Sequence, residues 1–111
     1  MTQTLYLQKI PFLNVKNKHK SIEIRQFKGF IKTILPQTII NLQYQQKKIP
    51  IFIKTITMFD DLTTLLNNVT LKYINPNLIT HTQSSDYFNQ YYKQHNKQKH
   101  KYIAIYFINL D

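Results

Sequence analysis

The hydrophobic period of this chain changes at Met58, and that change limits what it can fold into. From Ser21 to Thr57 apolar residues alternate with polar ones. Ile22 and Ile24 fall on one side of Ser21–Phe27, and Glu23 and Arg25 on the other. This period-2 pattern predicts half-buried strands. Phe30–Leu35, Ile39–Tyr44 and Ile49–Thr57 read the same way, with the β-branched residues that pleated surfaces favour. After Met58 the spacing is three and four. Phe59, Leu62, Leu65, Leu66 and Val69 form one apolar helical stripe.

The punctuation agrees. Lys28-Gly29 holds the only glycine of the protein, and a tight turn needing positive φ is the physical reason to keep it. That predicts a hairpin of Ser21–Phe27 with Phe30–Leu35, stopped by Pro36. Gln45–Lys48 is a polar turn. Thr57 is placed to cap the helix, with Asp60 and Asp61 in its first turn, where the helix dipole favours negative charge. The helix should end near residues 67–70. Leu71–Ile74 reads as a short strand before the turn at Asn75-Pro76-Asn77. Pro11 argues against a regular helix through residues 1–20, which read as an irregular arm or one short strand. Tyr102–Leu110 alternates as a last strand.

The expectation is therefore α+β: an antiparallel sheet of about four to five strands, one helix packed on a face, and a basic polar tail. The divisions are an arm over 1–20, the sheet-plus-helix domain over 21–79, and a basic, Tyr-rich extension over 80–111. With 111 residues there is room for one domain with an arm.

Chemistry is restricted by what is missing. No cysteine occurs, which excludes disulfides, thiolate metal sites and a Cys nucleophile. One glycine cannot form a phosphate-cradling loop. Adjacent Asp60 and Asp61 would point about 100° apart on a helix and do not pair as acid and base. His95 and His100 are five apart, not the i, i+4 pair of a helical zinc motif; His19 and His81 stand alone. No apolar run approaches the roughly 18 residues of a membrane helix. The reading is a protein that is not an enzyme, with no metal, cofactor, small-molecule substrate or membrane span.

Charge points to the partner. Fifteen Lys and Arg face five Asp and Glu, a formal net charge of +10. Lys16, Lys18 and Lys20 with His19 form one cluster; Lys93, Lys97, Lys99 and Lys101 with His100 form another. Lysines at this density neutralise phosphates and release counterions. Tyr87, Phe88, Tyr91 and Tyr92 precede the second cluster, and such rings stack on unpaired bases or pack against protein. Fourteen lysines stand against the single Arg25, and isoleucine, asparagine, tyrosine and phenylalanine abound. Arg matches phosphate better than Lys, so this bias reads as an AT-rich genome, such as an organelle's. The N-terminus shows no import pattern, which an organelle-encoded product does not need.

Ser21-Ile-Glu-Ile-Arg-Gln-Phe-Lys-Gly-Phe-Ile-Lys-Thr-Ile-Leu-Pro resembles the first hairpin of large-subunit ribosomal protein six. Leu62-Thr-Thr-Leu-Leu-Asn-Asn-Val is similar to the helix of that family. The likeness covers roughly residues 12–72 and only the first of the family's two domains. It implies a structural constituent of a large ribosomal subunit, with rRNA and neighbouring ribosomal proteins as partners, and the composition makes that subunit an organellar one of the mitochondrial matrix. The rRNA-binding candidates are Lys16, Lys18, Lys20, Lys28, Lys93, Lys97, Lys99 and Lys101. The alternatives are an accessory subunit of a mitochondrial respiratory complex, and an organellar small-subunit ribosomal protein.

Overall fold

A computed structural model describes residues 2–77 and 101–111. The order of elements is β1 (Thr4–Tyr6), α1 (Lys9–Lys16), β2 (Ile22–Gln26), β3 (Ile39–Tyr44), β4 (Lys47–Phe59), α2 (Leu62–Asn68) and β5 (Tyr102–Asn109), with 3-10 turns at Gly29–Thr33 and Leu71–Tyr73. The five strands form one curled sheet in the order β1-β3-β4-β5-β2. The fold is α+β, as expected. Three of the four pairings are antiparallel, while β1 lies parallel to β3, so the sheet is mixed.

The sheet has a helix on each face rather than one in all. Inside the curl, Phe12 and Val15 of α1 pack with Leu5, Ile40, Leu42, Ile51, Ile53, Ile103 and Ile105. On the outer face, Leu65 and Leu66 of α2 pack with Ile22, Ile24, Ile74 and Ala104. β5 alternates between the two cores. Ile103, Ile105 and Phe107 point inward, Ala104 outward, and all four are buried. The chain's last strand thus lies inside the sheet, between β4 and β2.

Several sequence expectations fail for identifiable reasons. Residues 1–20 do supply one short strand, β1, which joins the sheet, but they also hold a helix, α1, which fills its concavity. Pro11 is compatible with α1 because it sits in the first turn, where backbone N–H groups have no helical acceptor. The Ser21–Leu35 hairpin does not form. Gly29 does adopt φ +57, but it opens a 3-10 turn that buries Ile31 and Ile34 on one side. β2 pairs with β5 instead. The three-residue spacing of Ile31 and Ile34 suits a 3-10 period and competes with alternation in so short a run. Leu71–Tyr73 is a 3-10 turn, not a strand. β4 runs on through Thr57 to Phe59, so the cap of α2 is Asp61, whose Oδ1 accepts from Thr64 N at 2.7 Å.

The end of α1 sets up the site described next. His19 N donates to Asn14 O at 2.8 Å and Lys18 N to Val15 O at 2.9 Å, the paired bonds of a Schellman stop. Lys18 takes the left-handed conformation, φ 63, that this stop needs. The chain reverses there and turns Lys20 inward.

Candidate functional site

Lys20, Glu23 and Arg25 come together at the open seam of the curled sheet. Glu23 and Arg25 are two apart on β2 and so share its inner face. Lys20 Nζ donates to Ile22 O at 2.7 Å and Ile74 O at 2.9 Å, and lies 3.3 Å from Glu23 Oε1. Glu23 Oε1 also accepts from Ile24 N at 3.1 Å. Its Oε2 accepts from Arg25 Nε at 3.3 Å and Nη2 at 3.1 Å. Arg25 Nη2 reaches on to Tyr6 O at 2.8 Å. β1 and β2 are the two edges of the sheet, so this last bond ties one edge to the other across the gap.

Burial decides the chemistry. The Lys20 and Glu23 side chains are only 4% and 10% exposed, and Arg25 is 27% exposed. Burial is the largest influence on Lys20 and holds its pKa below the ordinary lysine value, even though Glu23 pulls the other way. Burial also raises the Glu23 carboxyl. Lys20 and Arg25 together outweigh it and keep Glu23 below the usual carboxylate range. The geometry favours the charged form, because three acceptors meet the three ammonium protons. Two cations and one anion leave the cluster at +1.

Among the candidate rRNA contacts, Lys20 is turned inward rather than to the surface. Its protons are committed to the fold, and it is buried. Lys16, Lys18 and Lys28 are exposed. Lys101 is exposed and lies 3.7 Å from Asp60 Oδ1, a weak surface pair. Lys93, Lys97 and Lys99 lie outside the described residues, as do Tyr87, Phe88, Tyr91 and Tyr92. Among the described residues, no group of histidines and carboxylates is spaced to hold a metal ion. No described helix is long and apolar enough to cross a membrane.

Glu23 and Arg25 were missed as site residues because a period-2 strand assigns them to solvent. The signal was present: an arginine kept in a lysine-biased chain, with a carboxylate two residues before it. Arg suits a forked, buried contact better than Lys.

The architecture is a curled, mixed half-barrel closed at its seam by a charge cluster. No family model matches the chain, and no curated protein matches it. Solved structures do. The crystal structure of hypothetical protein PH0355 superposes with a TM-score of 0.85, 19% identity, and coverage of 99% of this chain and 100% of that one. The solution structure of protein PF0455 from Pyrococcus furiosus gives 0.77, 19% identity, and coverage of 100% and 99%. At that identity the likeness shows the fold alone.

Proposed function

We propose that this protein binds RNA through the phosphate backbone. One observation carries the reading, the exposure of nearly every described lysine. Glu23 is buried in the seam, Asp61 caps α2, and Asp60 lies beside Lys101. Every described lysine except Lys20 is exposed, including Lys9, Lys16, Lys18, Lys28, Lys32, Lys47, Lys48, Lys54 and Lys72. The seam takes Glu23 inside together with Lys20 and much of Arg25, and the exterior keeps its cationic balance because the exposed lysines outnumber the exposed Asp60, Asp61 and Asp111. Such a surface attracts a polyanion without reading its sequence, since lysines dock on phosphates as point charges.

The RNA particle we assign it to is an organellar large ribosomal subunit. Composition and charge carry that step, because the hairpin through which the chain resembles ribosomal protein six is replaced by a 3-10 turn. Titration of the purified protein into RNA at rising salt tests the binding. The logarithm of affinity should fall linearly with the logarithm of salt concentration, and a flat response would remove the reading. Fractionation of the native lysate tests the particle. Co-migration with a detergent-solubilised membrane complex and not with ribosomes would refute that assignment.

A further inference from the structure

Building on the RNA-binding reading, we propose that the outer face of the sheet over β1, β3 and β4 is a stacking platform for single-stranded RNA. Strand register builds it. Tyr6, Gln43 and Lys48 form one row across the three strands, Asn41 and Pro50 lie in the next, and Ile39 and Phe52 form the third. These side chains alternate with Leu5, Ile40, Leu42, Ile49 and Ile51, which are buried in the core around α1, so the rows project from the opposite face. That is the face α2 packs on, but the residues α2 meets come from β2, β5 and the far end of β4. Tyr6 is 64% exposed and Ile39 54%, and Phe52 is half-buried. The Asn41 carboxamide makes no hydrogen bond among the described residues.

Two arguments choose the occupant. The first is charge. No acid occurs in these rows, Lys48 shares the row of Tyr6, and Lys54 lies exposed at the irregularity of β4 just beyond Phe52. A second copy would bring another +10 and be repelled, whereas a polyanion is attracted. The second is the kind of contact. Flat rings on an open sheet stack on bases that are not already stacked, and a duplex does not present such bases. Phe52 and Tyr6 are four residues apart along the strands and two strands apart across them, a span of about 17 Å, which an extended single strand can follow.

The test compares a labelled short oligouridine with an RNA duplex of equal length, both titrated with the full chain at one salt concentration. The wild type should prefer the single strand. Phe52→Leu keeps apolar bulk but loses the ring, and Tyr6→Ala alters an exposed site with little risk to folding. Each should weaken oligouridine binding by about 5- to 150-fold, the range for loss of one base–aromatic stack. Duplex affinity should not change. Oligouridine binding unaffected by both variants would overturn the platform while leaving phosphate docking in place. No binding of either RNA would overturn both. A wild-type dimer in sedimentation that Phe52→Leu dissociates would make this face a contact between copies and also overturn the platform.

Discussion

Replacing Glu23 by Gln removes one negative charge and almost no volume, so it isolates the electrostatics of the seam. In the wild type, Glu23 faces Lys20 Nζ at 3.3 Å and Arg25 Nη2 at 3.1 Å. A glutamine can accept from one of them, but its amide hydrogens then confront the other. Breaking a buried ion pair from one side costs about 3–5 kcal/mol. Arg25 keeps some contact with water, which puts the expected loss near the low end, about 3 kcal/mol. In urea, with a slope of roughly 2 kcal/mol per molar, the unfolding midpoint at neutral pH should fall by about 1.5 M. Far-UV circular dichroism reads this directly. The pH dependence carries a sign. Glu23 is held below its ordinary value in the fold, so the unfolded chain takes up the proton first as pH falls. Its stabilisation is complete above the usual carboxylate range and is lost as pH drops through the lowered folded value. The gap between wild type and Glu23→Gln should be constant above that range and close below it. A gap under about 0.5 kcal/mol at neutral pH, or one that does not narrow in acid, would refute the account.

Two left-handed positions should respond in opposite directions. Gly29→Ala meets no atom within 4 Å of the new Cβ, so only its φ of +57 is penalised, and it should lose about 1 kcal/mol in thermal unfolding. Lys18→Gly relieves the same strain at the stop of α1 and should gain up to about 0.5 kcal/mol. A loss at Lys18→Gly would mean that the lysine side chain outweighs its backbone. Leu65→Ala opens a void where α2 meets the outer face of the sheet and should cost about 2–5 kcal/mol in chemical denaturation; a near-neutral result would show that α2 is not locked to the sheet.

Much of the sheet was readable because its signals are local. β3 falls over Ile39–Tyr44 and β5 over Tyr102–Asn109, as alternation places them, and Gly29 adopts the positive φ its isolation implies. What was misread is non-local. Phe30–Leu35 has strand composition, yet its Ile31 and Ile34, three apart, are buried from a 3-10 turn, and β2 finds its partner in β5, about 80 residues on. Lys20 looks like the third member of a basic cluster with Lys16 and Lys18. Its burial follows from the reversal at Lys18 and from the carbonyl of Ile74, which is 54 residues away. Glu23 and Arg25 follow the alternation rule, but that rule assumes one face of the strand is wet. Here the sheet curls, and both faces of β2 are enclosed.

The order of amino acids by itself settled the α+β class, the positions of most strands, the helix after Met58 and the cationic balance, because side-chain period, turn residues and formal charge are properties of neighbours along the chain. Only the tertiary structure decided which strands pair, that a second helix fills the concavity, and which charges face water. Those outcomes depend on curvature and burial, which arise when distant segments close on one another and take Lys20 and Glu23 out of solvent together.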